Sequence, residues 1–268
     1  DKFGDLVLLP PDAYTASPWR AVDPPTLWAT VAAAIGAKRV ARKAEIHPGP
    51  KRKSQVVLLY PAEGDGWVTH TEGGTKYTWD VTQSMFCRGN VNERQRLPGL
   101  IQQGEVVVDL YAGIGYFTVP VLRTHRVHHL YACEWNPPSV VALRRNLENN
   151  GVQDRCTVLP GDNQASRPHI ENKADRVLLG LLPSSETGWG LGVDCLKPRG
   201  GWLHVHENLP EGEEEAKAAA IVGAIADYAA RHGKQWRVSL ARIVHVKTYA
   251  PHVAHVVLDI SCIQQAAE

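Results

Sequence analysis

The chain has few cysteines, and none is spaced for a familiar task. There are five in 268 residues: Cys87, Cys133, Cys156, Cys195 and Cys262. The number is odd and no two form a C-x-x-C pair. That argues against a disulfide framework or a zinc knuckle and for a reducing cytosol. No apolar run approaches the ~18 residues that a membrane span requires. No signal-peptide pattern opens the sequence, and no internal repeat divides it. Charge of one sign is lacking as well: 29 Lys and Arg stand against 28 Asp and Glu, a net charge of +1, so the whole chain is no polycation. A content of 44% hydrophobic residues is ample for a core and suits one large or two modest domains. The chain is expected to be a monomer.

Two textures are present. Residues 1–82 read as a small α+β domain. It has a strand Leu6 to Leu9, a helix from Thr26 to Ile35 stopped by Gly36, and a hairpin joining Val56–Tyr60 to Trp67–His70 through "PAEGDG". A turn at "EGGT" leads into a further strand, Lys76 to Val81. Residues 83–100, "QSMFCRGNVNERQRLPGL", are polar and basic and read as a joining loop and short helix. From 101 to 268 strands and helices alternate, which predicts a parallel, doubly wound sheet. The final "WRVSLARIVHVKTYAPHVAHVVLDI" predicts a closing antiparallel pair, as in methyltransferase-type Rossmann sheets. The Ala-rich helix 216–230 reads as a packing element.

The chemistry concentrates in "VVVDLYAGIGYFTVP", residues 106–120. A strand ends at Asp109, glycines 113 and 115 turn the chain, and a helix begins. That arrangement makes a nucleotide site. The third glycine of a dinucleotide fingerprint is missing, because Thr118 stands in its place. Glu134 ends the next strand, 19 residues after Gly115, where a carboxylate can accept both ribose hydroxyls of NAD or of S-adenosylmethionine (AdoMet). "GDN", with Asp162 and Asn163, ends the third strand and can meet an adenine edge. Any one of these could be a turn or a cap. Three at consecutive strand ends favour AdoMet.

Other features are weighed against plainer roles. "NPP" at 136–138 resembles the motif of amino-group methyltransferases, but it follows the second strand, so its role is to start the 139–149 helix. After the fourth strand, "LGLLPSSETGW" offers hydroxyls but no acidic base and no cysteine nucleophile. Neither adenine-amine nor cytosine-carbon methylation is indicated. His204 and His206 share one strand face, and a metal would need a third ligand that the sequence does not supply. His206 and Glu207 end a strand at the ligand edge, as general-base candidates or as pocket lining. Trp135 can stack on adenine or enter the core, and Tyr111 and Ala112 belong to the pocket wall. Between 37 and 60, Lys38, Arg39, Arg42, Lys43, Lys51, Arg52 and Lys53 face one acid, Glu45. This patch suits phosphate neutralisation, or else it is a solvated loop.

"YTWDVTQSMFCRGNVNERQR", "VVVDLYAGIGYFTVP", "ACEWNPPSVVALRRNLENNGVQDRC", "DRVLLGLLPSSETGW" and "VKTYAPHVAHVVLDI" together resemble the wybutosine-synthesising aminocarboxypropyltransferases, close relatives of the tRNA guanine-N1 methyltransferases. The likeness is dense over 75–268 and loose over 1–74. It implies a class I methyltransferase-like α/β fold with AdoMet as co-substrate. It also implies transfer of the 3-amino-3-carboxypropyl arm to carbon 7 of 4-demethylwyosine beside the anticodon of phenylalanine tRNA. Family carry-over sets Cys87 and Arg94 on the amino acid tail, Glu134 on the ribose, and Asp162 and Asn163 near the adenine, with Asp109, Gly113 and Gly115 forming the loop. Cys87 departs from the serine of the family pattern and is a poorer donor. Two other readings stay open: a tRNA guanine-N1 methyltransferase, and a catalytically silent RNA-binding module.

Overall fold

The computed structural model describes residues 1–43 and 56–265. Lys51, Arg52 and Lys53 lie outside the described residues. The chain divides into two compact units, Asp1–Cys87 and Arg88–Glu268. Among the described residues, no helix is long and apolar enough to cross a membrane.

The first unit begins with β1 (Lys2–Phe3) and β2 (Leu6–Leu9), followed by a single helical turn, α1 (Ser17–Arg20), and the helix α2 (Pro24–Ala34). Asp23 starts α2 by accepting from the Thr26 N–H and hydroxyl at 3.1 and 2.8 Å. Two prolines fill the first turn, where no N–H partner is needed. Leu27, Trp28 and Val31 of α2 pack on Val40 of β3 (Arg39–Arg42), which runs parallel to β2. The expected hairpin across "PAEGDG" does not form. β4 (Val57–Tyr60) pairs antiparallel with β3 instead. β5 (Trp67–Glu72) pairs with β6 (Thr75–Asp80) around Gly73 and Gly74, both at positive φ. Two adjacent glycines at positive φ satisfy the tightest hairpin turn, which a six-residue loop does not. Phe86 stacks on Trp79 with ring centres 4.9 Å apart, and Phe3 meets the same indole edge-on.

The second unit opens with α3 (Val91–Leu100), which carries residues expected in a joining segment. Then come β7 (Val106–Asp109), α4 (Thr118–Arg123), β8 (His129–Glu134), α5 (Pro137–Asn149) and β9 (Cys156–Pro160). α6 (Arg167–Ile170), β10 (Arg176–Leu179), α7 (Glu186–Cys195), β11 (Gly200–Pro210), α8 (Glu214–Arg231), β12 (Trp236–Ala250) and β13 (Val253–Gln264) follow. The sheet order is β12-β13-β11-β10-β7-β8-β9, with β7 to β11 parallel and β13 antiparallel to both neighbours. The order in which the chain visits the strands reverses between the parallel neighbours β7 and β10, and ligands enter such a sheet there, at the C-terminal strand ends. Apolar residues cover both faces. Val108, Val177, Leu203 and Val205 meet Leu191, Ile221 and Ile225 of α7 and α8. Val107, Leu130 and Leu178 meet Leu97, Phe117, Leu122 and Leu143 on the other side. Strands buried on both faces read as continuous apolar runs, which is why "VVVD" and "RVLL" announce themselves.

Candidate functional site

β7 delivers Asp109 to the switch point, fully buried. Its Oδ1 accepts from the Tyr111 N–H at 3.2 Å and its Oδ2 from the Thr118 hydroxyl at 2.7 Å. Burial pushes the carboxyl up to about 6, against the pull of those two bonds. Thr118 thus has a task that no glycine could perform. The gap in the dinucleotide fingerprint was its signal in the sequence.

The glycine loop is fastened at both ends. Gly113 and Gly115 have φ of +58° and +95°, where L side chains are strained. A Cβ on Gly115 would come within 2.8 Å of Val119 and 3.0 Å of Leu143, and one on Gly113 would strike the Tyr116 ring. Ala112 donates its N–H to the Cys133 carbonyl at 3.0 Å. Glu134, 9% exposed, receives the Gly113 N–H on Oε2 at 2.7 Å and the Asn136 N–H on Oε1 at 2.8 Å. Burial raises its pKa above 4.5, opposed by these backbone bonds. The Trp135 N–H also pulls on the carboxylate, which with about four acceptor sites keeps room for a further donor such as a ribose hydroxyl. α5 begins at Pro137 and Pro138, so "NPP" does start a helix, and it presents Asn136 to the acid. Trp135 is 44% exposed beside it.

Asp162 caps the short turn after β9 through the Gln164 N–H at 2.9 Å. The Asn163 amide donates to the Leu110 carbonyl at 3.1 Å, tying the third strand end to the first. Tyr111 is half-buried against the α7 side of the core, and its hydroxyl lies so close to Gly188 that a Cβ there would collide with it.

His206 and Glu207, the general-base candidates, are both held by neighbours. Glu207 Oε1 holds three donors: the Ser184 hydroxyl at 3.1 Å, the Ser185 N–H at 2.9 Å and the Ser185 hydroxyl at 3.2 Å. The acid pins the "LPSSE" loop to β11, and the serines' hydroxyls are taken up by that task. The His206 Nδ1 lies 3.0 Å from His255 Nε2, and its ring packs against Phe117. Burial drives its pKa well below 6.5. The ring is buried between Phe117 and His255.

One array escaped the sequence reading. Arg96 on α3 clasps Glu93 (2.7 and 2.9 Å) and Asp259 of β13 (2.6 and 2.9 Å). Asp259 Oδ1 meets His204 Nδ1 at 2.7 Å, and His204 Nε2 meets Arg176 Nη1 at 2.7 Å. Arg176 in turn grips Glu105 at 3.0 and 2.9 Å. Arginine only donates, so His204 accepts on Nε2 and carries its proton on Nδ1. Burial lowers the His204 pKa and keeps the ring neutral. Burial alone would raise Asp259, but the bonds from His204 and Arg96 outweigh it and hold the carboxyl well below its usual range. The chain of six side chains locks α3 to the sheet. Arg94, on the same helix, is 2% exposed. Cys87 closes the first unit and is half-buried.

The basic patch divides. Arg39 binds Asp5 at 2.6 Å and Asp65 at 3.0 Å and donates to the Trp67 carbonyl, so its charge is neutralised inside the first unit. Lys43 pairs with Asp1 at 2.6 Å. Arg42 lies over the Trp28 ring, 6.0 Å from its centre, and Lys38 is exposed.

Residues 68–238 match the family model of the TRM5/TYW2 methyltransferase domain. The bovine "tRNA wybutosine-synthesizing protein 2 homolog" is 41% identical over a 312-residue alignment that takes in 97% of this chain and 70% of the relative. The Arabidopsis thaliana "tRNA wybutosine-synthesizing protein 2/3/4" is 40% identical over 98% of the chain, which spans about a quarter of that relative's length (26%). Among solved structures, TYW2 of Pyrococcus horikoshii in complex with MeSAdo is similar at 28% identity and a TM-score of 0.77, covering 98% of this chain and 90% of the other. The parallel sheet with its antiparallel closing strand, the fastened glycine loop and these likenesses agree: the chain belongs to the TRM5/TYW2 family.

Proposed function

We propose that this chain binds AdoMet across the ends of β7, β8 and β9 and transfers its 3-amino-3-carboxypropyl group to carbon 7 of 4-demethylwyosine in phenylalanine tRNA, releasing methylthioadenosine. The observation that carries the cofactor half is Glu134: a buried acid, fixed by the Gly113 and Asn136 N–H groups, with room left for a ribose hydroxyl. The relatives named for wybutosine synthesis, and a TYW2 solved with MeSAdo, support the transfer half.

AdoMet supplies a sulfonium that activates three carbons alike, so the protein selects by orientation. Glu134 holds the ribose, Trp135 covers the adenine from its exposed position, and Asp162 meets the adenine edge. Asn163 holds the Leu110 carbonyl in place. Arg94 grips the tail carboxylate with its planar fork, which suits a carboxylate better than a point charge does. Glu207 keeps the "LPSSE" loop beside the reacting carbon. The discriminating experiment is analysis of the small-molecule product after incubation with tRNA. Methylthioadenosine supports this reading, and S-adenosylhomocysteine would make the enzyme a methyltransferase instead. Failure to bind AdoMet at all would leave an RNA-binding module.

Glu134→Ala removes charge-assisted hydrogen bonds worth roughly 1.5–3 kcal/mol, so calorimetry should read AdoMet affinity lowered about ten- to a hundred-fold. The wild-type affinity should also fall on acidification, beginning above pH 4.5, because the carboxylate must be ionised and burial raises its pKa. Glu134→Gln should lose the part of this dependence that Glu134 supplies and keep the part set by Asp109, whose carboxyl is pushed up to about 6.

Lys38, Arg42, Lys51, Arg52 and Lys53 serve tRNA phosphates in this proposal. Neutralising Lys51, Arg52 and Lys53 together should weaken tRNA binding. The slope of log K against log salt should flatten by up to about 0.7–0.9 per lost contact. AdoMet affinity should not move. An unaltered slope would reduce the patch to a solvated surface.

A further inference from the structure

The two faces of β11 carry different chemistry. Leu203, Val205 and Leu209 enter the core on the α7 and α8 side. Strand alternation turns His204, His206 and Asn208 the other way. His204 belongs to the ionic chain, and His206 packs on Phe117. Asn208 sits directly across from His255 of β13. Both polar atoms of the Asn208 carboxamide and the Nδ1 of His255 are buried, and none has a hydrogen-bond partner among the described residues. His255 itself is fully buried.

Three unpaired polar atoms at one cross-strand pair carry a desolvation penalty with no return in the free protein, and such groups call for a ligand. Their place in the sheet indicates which one. β11 follows β10 in register as far as Val205, opposite Leu179. Asn208 lies three residues past that point, and its N–H donates to the Pro183 carbonyl of the "LPSSE" loop at 2.8 Å. Asp109 and Glu134 end β7 and β8, so Asn208 and His255 lie past the strand ends on the other side of the switch point, between β11 and β13.

We propose that Asn208 and His255 form the recognition pocket for the acceptor base, the carboxamide pairing with the adjacent donor and acceptor of a purine-type edge. A carboxamide offers that complementary pair in one plane. Phe117 and His206, both buried, pack on each other on the same side, and the His206 ring also meets His255. The inference rests on the transfer to a tRNA base proposed above.

Asn208→Leu keeps the branched shape and removes both polar atoms. Its kcat/KM for tRNA should fall about ten- to a hundred-fold, as loss of one paired base edge does. Its Kd for AdoMet should be unchanged. Its thermal midpoint should equal or exceed that of the wild type, because an unmet polar group has been removed. His255→Phe should show the same split between tRNA and AdoMet, and it serves if the leucine variant fails to fold. Unchanged turnover of either folded variant would overturn the proposal and assign the pair to a buried water. Parallel weakening of AdoMet binding would overturn it too, placing the pair in the cofactor site. Wild-type enzyme run alongside tests the underlying reading separately. If it releases no methylthioadenosine from AdoMet and tRNA, that reading fails, and the base pocket with it.

Discussion

Asp259→Ala should cost about 3–5 kcal/mol of stability, the usual result of removing one member of a buried ion pair while leaving its partners in place. Two groups would be stranded. Arg96 would keep Glu93 but lose its bidentate hold on β13, and the Nδ1 proton of His204 would have no acceptor. Urea denaturation of the two proteins measures the difference. A loss below about 1 kcal/mol would class the array with ordinary surface pairs. Asp259→Asn keeps an oxygen acceptor but loses the charge, and should fall between wild type and alanine. Because the array anchors α3, turnover should suffer in Asp259→Ala even at temperatures where the protein stays folded.

Arg94→Lys should retain AdoMet binding yet lose about a hundred-fold in turnover. Lysine keeps the positive charge and gives up the two-point fork. Misplacement of the reacting carbon by ~1 Å can cost about that factor. Arg94→Ala should lose both binding and turnover. The decisive measurement compares AdoMet with methylthioadenosine, which has no carboxylate. Its affinity should be nearly indifferent to residue 94. If alanine weakens both ligands equally, the guanidinium does not read the carboxylate, and the selection of the propyl carbon must come from elsewhere.

Much of the fold was legible because its signals are local. "VVVD" and "RVLL" are strands buried on both faces, and their apolar runs bounded them to within a residue. Glu134 and the glycines could be read because loop, strand end and helix start follow one another along the chain. The hairpin across 61–66 was misjudged because length and turn residues suggest a pairing without fixing the partner. β4 found an open edge on β3, brought there by α2, and that choice is tertiary. β11 runs from Gly200 to Pro210, past His206 and Glu207 where the sequence suggests its end, because β13 pairs with it along its whole length. The Arg96–Asp259 contact joins residues 163 apart, and nothing in either neighbourhood marks it. Glu207 looked like a base because it ends a strand at the ligand edge. Only the fold shows three donors already on its oxygen.

The paired acids around the glycine loop also sort ligands by charge. Asp109 and Glu134 flank the turn that, in dinucleotide enzymes, leaves its N–H groups open to a diphosphate. Here the Gly113 N–H points into a carboxylate, and the Tyr111 N–H into another. An incoming diphosphate would meet two anions in a low-dielectric setting where repulsion is poorly screened. A sulfonium, carrying one positive charge, meets attraction at the same place. With two backbone hydrogens directed into side chains, the loop keeps fewer donors for a diphosphate than a dinucleotide loop offers.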